Sequence, residues 1–358
     1  MKVFVYEAIC SGGIFELAGG EQSFVIQKFA GLLAEAHRML ADVCEDLARF
    51  PAVTEVCTLW DSRLDRHKPR PVVDSLISVA SPEEAELAVR EQASRCDFTL
   101  LIAPETGGEL LSIAKSAVAA GGRLLGPSLK TIEIGGDKPR FLDACRSLGL
   151  AVPEGMRLES GRSPAESVVG LGLQPNEPVI VRPVDGVGCD AVRLFRQSLE
   201  LSVSNTFARD VLVERYVAGV PASVAFLRFA TGEILPLHPC LQSIEFDDQG
   251  FATYRGGTVM NKREHSGWIE RCQRLATEVA QVIDDGNGYH GIDLVLGESS
   301  DGSDDVIVEL NPRLTTSYTG LRQATDSNLA EWMLASCEAS GRKPTNGIHW
   351  KEGVEFAV

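Results

Sequence analysis

About the first 130 residues alternate strand-like and helix-like stretches, and no other feature limits the fold as much. "KVFVYEA" has strand character and is followed by the glycine turn "CSGGI" and an amphipathic helix near Gln22 to Arg49. "VTEVCTLW" and "SLISVA" are two more strands. Ser81-Pro82-Glu83-Glu84 then opens a helix with a serine cap, a proline at the first helical position and an acid at the third. "FTLLIAP" is a fourth strand, and Gly108 to Ala120 is another helix. Strands joined through helices run parallel, so the pattern predicts a doubly wound parallel sheet with helices on both faces. Ligands of such sheets sit beyond the strand C-termini, where Glu7 and the Ser11-Gly12-Gly13 turn fall. A glycine turn needed only for chain geometry explains that stretch equally well.

The texture changes at "GGDKPRFLDACRSLGLAVPEG". Asp137 is placed to cap a helix that ends at Leu148, with Gly149 as its stop. The segments "PVIVRPVDGVGCDAVRLF", "VLVERYVAGVPASVAFLRF" and "EILPLHPCLQSIEF" predict a small, mainly antiparallel sheet. A polar, glycine-rich passage from Asp247 to Ser266 leads into a long helix striped by Trp268, Cys272, Leu275, Val279 and Val282. Two closing strands follow, "HGIDLVLG" and "DVIVELN", and a last helix lies near Asn328 to Ser340. There is no internal repeat.

Composition removes several classes of function. A formal charge of -16 repels phosphate backbones, and the densest basic stretch, "RLDRHKPR", is short and carries Asp65, so no nucleic-acid partner is expected. The nine cysteines never fall in C-x-x-C spacing, which argues for free thiols in a reducing compartment. No apolar run reaches the roughly 18 residues of a membrane helix, and "MKVFVYEAIC" lacks the order of a signal peptide. The expected location is the cytoplasm, with no membrane partner.

Chemistry concentrates in "VIVELNPRLTTSYTGL", where Glu309, Asn311 and Arg313 occupy alternate positions and a strand would put them on one face. A solvated edge strand stopped by Pro312 is the plain alternative. If the two closing strands pair as a hairpin, Asp293 joins Glu309 and Asn311 in an all-oxygen set suited to Mg²⁺ carrying nucleotide phosphates. Arg313 would reach the same pocket, where a guanidinium suits a phosphoryl or carboxylate group. Upstream, Arg182 precedes the turn Asp185-Gly186-Val187-Gly188, whose backbone can approach phosphates, although a structural hairpin turn is the default reading. Main-chain groups around Arg215 to Val217 are available to an adenine edge.

In this order, "DKPRFLD", "PVIVRPVDGVG", "VLVERYVAGVPAS", "GIDLVL" and "VIVELNPRLTTSY" resemble the ATP-grasp carboxylate–amine ligases across Gly126 to Leu334. The preceding α/β unit is similar to the domain these enzymes carry in front. The resemblance implies three parts: a pre-ATP-grasp α/β domain at 1–126, a small lobe with linker helix at 127–217, and a large lobe at 218–358. It implies ATP held between the two lobes and Mg²⁺, with Mn²⁺ as a substitute, on Asp293, Glu309 and Asn311. Lys138, Arg182, Gly186 and Gly188 would meet phosphates. Glu214, Arg215 and Val217 would line the adenine pocket, and Arg313 would hold the transferred phosphate. This chain departs in having Arg182 where lysine is common, and no acid for the ribose hydroxyls stands among Val220, Pro221 and Ala222.

Within the superfamily, "NPRLTTSYTGL", "YRGG" at Tyr254 to Gly257 and "YEAICSGG" look most like the tyramine–L-glutamate ligase group of methanofuran biosynthesis, in C1 metabolism. That implies small-molecule substrates, a glutamate γ-carboxylate and an aromatic amine, joined through an acyl phosphate. Arg255 would act beside Arg313 in catalysis, and a homodimer is left open. Plain readings stand beside these: Lys138 as a solvated first-turn residue, Arg182 paired with Asp185 or Asp190, Glu214 as an edge-strand charge, and Tyr254 and Arg255 as loop residues. Cys189 has no histidine placed to activate it as a nucleophile. The rival functions are an ATP-grasp kinase that stops at phosphoryl transfer and a nucleotide-binding regulator without turnover.

Overall fold

The computed structural model describes residues 1–17, 22–186, 188–283, 286–339, 343–351 and 353–357. Its N-terminal unit comprises β1 (Lys2–Glu7), α1 (Gln22–Lys28), α2 (Ala30–Arg49), β2 (Glu55–Asp61), β3 (Ser75–Val79), α3 (Pro82–Arg95), β4 (Phe98–Ile102) and α4 (Glu109–Ala119). The four strands are parallel in the order β3-β2-β1-β4, as the alternation requires. Successive residues of β1 serve opposite layers. Val3 and Val5 pack with Leu40, Val43 and Leu47 of α2, while Phe4 and Tyr6 pack with Val89 of α3 and Ala114 of α4. The winding reverses between β1 and β4, which opens a crevice at the ends of those two strands. The single helix expected over Gln22 to Arg49 is two, because Phe29 leaves helical geometry at φ -111° and ψ 27°.

Two linker helices follow, α5 (Leu129–Gly135) and α6 (Lys138–Ser147). Asp137 caps α6 by accepting the Arg140 amide at 3.0 Å. Next come β5 (Gly155–Leu158), α7 (Pro164–Gly170), β6 (Val179–Pro183), β7 (Arg193–Phe195), α8 (Ser198–Ser202) and β8 (Val211–Arg215). Their strands form an antiparallel sheet in the order β5-β8-β6-β7.

The remaining elements are β9 (Val220–Arg228), β10 (Ile234–Pro236), β11 (Cys240–Phe246), β12 (Ala252–Val259), α9 (Lys262–Val279), β13 (Gly288–Leu296), β14 (Val306–Asn311), α10 (Ser317–Gln323), α11 (Leu329–Cys337) and β15 (Glu355–Ala357). Seven strands form one sheet in the order β14-β13-β9-β11-β12-β15, with β10 on β9. This corrects the expectation of a single small sheet for the middle of the chain: β9, β10 and β11 belong to the large one. The polar passage from Asp247 to Ser266 contains a strand, β12. In β12, Gly256 has φ 107°, and an added Cβ there would lie 2.1 Å from the Phe356 carbonyl oxygen of β15. Glycine is what that close strand pairing needs, and it hides the strand signal.

One face of the large sheet carries α9, whose Cys272, Leu275, Ala276 and Val279 meet Phe226, Ile292, Leu294 and Ile307. The helix ends at Val279, so Val282 packs on this core from beyond it. The other face carries α10 and α11, and through them α2 of the N-terminal unit. The last helix starts after its Asn328 cap as expected and stops at Cys337; Ser340 lies outside the described residues. Among the described residues no helix is long and apolar enough to cross a membrane.

Candidate active site

The two closing strands do pair antiparallel, with Asp293 opposite Glu309 and Gly291 opposite Asn311. Between the pairs Asp293–Glu309 and Leu294–Ile307, Val308 is an extra residue on β14. The bulge lets Ile307 and Leu310, three residues apart, both enter the α9 core. Glu309 and Asn311 keep the opposite face, and the Val308 carbonyl, off the ladder, accepts Arg182 Nη2 at 3.0 Å. Asn311 Nδ2 donates to Asp293 Oδ2 at 2.9 Å, and Gln242 of β11 donates to Oδ1 at 2.8 Å.

The small sheet and the linker helix α6 supply the cations. Arg182 grips Glu214 through Nε at 2.6 Å and Nη2 at 3.0 Å, and reaches Glu309 with Nη1 at 3.1 Å. Lys138, at the first turn of α6, lies 3.3 Å from Glu309 Oε2 and donates to the Gly186 carbonyl. All four side chains are buried, and each charge meets its opposite, as burial demands. The plain readings of Lys138 as solvated and of Arg182 as a partner of Asp185 or Asp190 do not describe this arrangement. Nor is Glu214 an edge charge, because β8 lies between β5 and β6.

Arg313 follows a tight turn around Pro312, whose ring sits so close to Gly135 that an added Cβ would be 2.8 Å away. Its guanidinium donates to Glu105 Oε1 at 3.0 Å and to the Leu314 carbonyl at 3.2 Å, with Asn311 Oδ1 3.5 Å away. Glu105, just past β4, therefore brings the switch-point crevice of the N-terminal unit to the cluster. Asp185 is also tied there: its carboxylate accepts the Gly107 amide at 2.8 Å and its carbonyl the Thr106 hydroxyl at 3.0 Å. Gly188 takes the left-handed conformation at φ 55°, and Val187 lies outside the described residues.

Several expected residues sit elsewhere. Arg255 is exposed and paired with Glu245 at 3.0 Å, so the structure does not bring it to the cluster. Its neighbour Tyr254 is the partly buried one, within electrostatic reach of Asp293 and Cys189. Alternation along β12 thus separates two residues that the sequence offered together. The Arg215 side chain pairs with Glu154 and Glu177, each at 2.7 Å, and its amide is held by the Glu154 carbonyl. The Tyr216 amide is held by Pro178, while among the described residues nothing engages the Val217 amide. The Glu214 carboxylate, expected at an adenine pocket, is instead held by Arg182.

Burial and neighbouring charge shift the titration of groups in the cluster. Burial, with Glu309 alongside, pushes the Asp293 carboxyl up to about 6. Burial, with Asp293, Glu309 and Glu35 nearby, pushes the Cys189 thiol up to about 12, so it is no nucleophile at neutral pH. Two carboxylates side by side and the Asn311 carbonyl oxygen are hard donors that fit a divalent cation. Among the described residues no group of three or more His, Cys, Asp or Glu is gathered as a metal site; the set here is two carboxylates and an amide. Sequence reasoning missed Glu35, Glu105 and Gln242, which reach the site from three separate elements with no local motif.

The two-lobed architecture and the paired strands define an ATP-grasp protein. Residues 136–317 match the ATP-grasp domain family and residues 54–132 the pre-ATP-grasp 3 domain, and the chain belongs to the ATP-grasp family. It is 25% identical to tyramine–L-glutamate ligase of Methanocaldococcus fervens over 285 residues, 79% of each chain. It is 27% identical to the carbamoyl phosphate synthase large chain of Rubrobacter xylanophilus over 59% of this chain and 20% of that one. Among solved structures, an ATP-grasp superfamily protein from Archaeoglobus fulgidus shares the fold at TM-score 0.64 and 17% identity, over 99% of both chains. An L-amino acid ligase from Bacillus licheniformis does so at TM-score 0.61 and 15% identity, over 94% of this chain and 74% of that one.

Proposed function

We propose that this chain is an ATP- and Mg²⁺-dependent ligase that joins a carboxylate to an amine through an acyl phosphate, releasing ADP and phosphate. One observation carries the reading: Glu309 stands between Lys138 at 3.3 Å and Arg182 at 3.1 Å on one side and its strand partner Asp293 on the other. An incoming nucleotide gives the two cations phosphate oxygens to bind, and frees Glu309 for a metal. Asp293, Glu309 and Asn311 Oδ1 would hold Mg²⁺, which when bound neutralises charge on the phosphates. Lys138, Arg182 and the Gly186–Gly188 turn would bind the phosphates, and the Val217 amide the adenine edge. The three-part division at 126 and 217 is supported by the sheets, since β8 ends at Arg215 and β9 starts at Val220.

In the first step a carboxylate oxygen of the acid attacks the γ-phosphorus and ADP leaves. In the second the amine attacks the acyl carbon, the bond to the phosphate oxygen breaks, and phosphate departs with a proton from nitrogen. Neither step needs a protein nucleophile, so the protein's work is positioning and charge stabilisation, with Arg313 beside the transferred phosphoryl group. The similarity to tyramine–L-glutamate ligase supports L-glutamate as the acid and tyramine or a related aromatic amine as its partner; the γ-carboxylate as the reacting group, and a place in a furan-cofactor pathway, are part of the proposal. Incubation with ATP, Mg²⁺, glutamate and tyramine tests the reading. ADP release that needs both acid and amine supports it; release of a phosphorylated acid as the end product favours a kinase.

A further inference from the structure

Helix α2 of the N-terminal unit is pinned on the ATP-grasp part by one of its faces. Asp46 receives Arg322 at 2.7 and 2.9 Å and the Tyr318 hydroxyl at 2.7 Å, and Asp42 receives Arg322 at 3.1 Å. Glu35 lies 7 and 11 positions before these two acids, hence on the same helical face, and is delivered to the mouth of the cluster. Its Oε1 accepts the Thr316 hydroxyl; among the described residues no protein donor reaches Oε2. Arg313, Cys189 and Tyr254 lie within electrostatic reach of it. The Tyr254 hydroxyl likewise has no protein partner among the described residues, and burial raises its pKa, so it stays a phenol. A partly buried carboxylate with a free oxygen, with a free phenol within electrostatic reach, is a receptor for a cation bearing N–H donors.

We propose that Glu35 receives the ammonium group of the amine substrate, with Tyr254 lining the same subsite, so that the acceptor is a primary ammonium presented from the N-terminal side of the cleft. The inference rests on the ligase reading. Glu35 takes one proton from R–NH₃⁺ and becomes the carboxylic acid. The nitrogen lone pair then forms the C–N bond as the C–O bond to phosphate breaks. The second nitrogen proton leaves with the phosphate, and Glu35 returns its own to solvent.

Hydroxylamine, a small nucleophile that is uncharged at neutral pH, separates this role from the rest of the reaction. Wild type, Glu35→Gln and Tyr254→Phe are compared with ATP, Mg²⁺ and glutamate, using tyramine or hydroxylamine as acceptor. For Glu35→Gln the amide-to-hydroxamate ratio is expected to fall roughly 10- to 100-fold, mainly through a higher KM for the amine. A smaller fall is expected for Tyr254→Phe. An unchanged ratio in Glu35→Gln overturns the inference while leaving the ligase reading intact, and so does an equal loss of both products. Wild type that forms neither amide nor hydroxamate overturns the ligase reading itself.

Discussion

Arg313 and Glu105 meet at 3.0 Å although 208 positions separate them in the chain. Glu105 is buried and Arg313 largely so, one just past β4 of the N-terminal sheet and the other just past β14. The N-terminal unit therefore aims the arginine that would hold the transferred phosphoryl group.

Glu105→Leu leaves the largely buried Arg313 guanidinium with only the Leu314 carbonyl and a distant Asn311 oxygen as hydrogen-bond acceptors. Breaking one side of a buried pair costs several kcal/mol, so a loss of roughly 3 kcal/mol in unfolding free energy is expected. Urea denaturation measures it, and a change within about 0.5 kcal/mol, the usual surface range, would show that the pair does not fasten the two parts.

Arg182 gives a graded series. Arg182→Met leaves Glu214 and Glu309 buried without their shared cation and should cost roughly 3–5 kcal/mol. Arg182→Lys keeps the charge but not the two-pronged grip on Glu214, and should cost less than half as much while weakening ATP binding. Equal losses for the two variants would mean that charge is not what the site needs.

The metal set predicts a coupled response. With Mg²⁺ and a non-hydrolysable ATP analogue at about 100 times its Kd, wild type should gain about 2.7 kcal/mol in stability, read as a rise in Tm. Chelation with EDTA should remove most of that gain. Glu309→Gln should lose the Mg²⁺-dependent part, and a full Mg²⁺ response in that variant would remove Glu309 from the set.

Glu7 supplies a pH test outside the proposed metal set. It is buried at the end of β1, and burial pushes its carboxyl up to about 7 despite the hydrogen bond from the Cys10 amide at 2.7 Å. A raised folded pKa means the folded state binds the proton more tightly. Its contribution to stability is complete below the unfolded pKa, near 4.5, and is lost as pH rises through about 7. Glu7→Gln keeps an acceptor for Cys10 and does not titrate. The stability of wild type relative to Glu7→Gln should therefore fall between pH 4.5 and 7, and a flat difference would contradict the burial argument.

Local rules carried the sequence reading a long way. The strand–helix alternation led to the parallel sheet, and the Asp137 and Ser81 caps stand where they were expected. The period of two in β14 held for Glu309 and Asn311, but the Val308 bulge that resets its phase has no sequence mark. The division of the middle strands between two sheets was invisible, since every segment reads alike until its partner is known. Arg255 and Tyr254 show the same limit: neighbours on a strand point oppositely, and only the register of β11 and β12 decides which faces the cleft. Glu35 and Glu105 could not be found from local pattern, because helix α2 and the β4 edge become part of the site only when the units pack.

The central claim is an acyl phosphate formed on the substrate acid, and oxygen transfer tests it most directly. Glutamate labelled with ¹⁸O in its γ-carboxylate is turned over with ATP, Mg²⁺ and tyramine, and the released phosphate is weighed by mass spectrometry. The account predicts one ¹⁸O in each phosphate, matched by one amide and one ADP. Amide formed alongside wholly unlabelled phosphate, or label found in AMP, would contradict it.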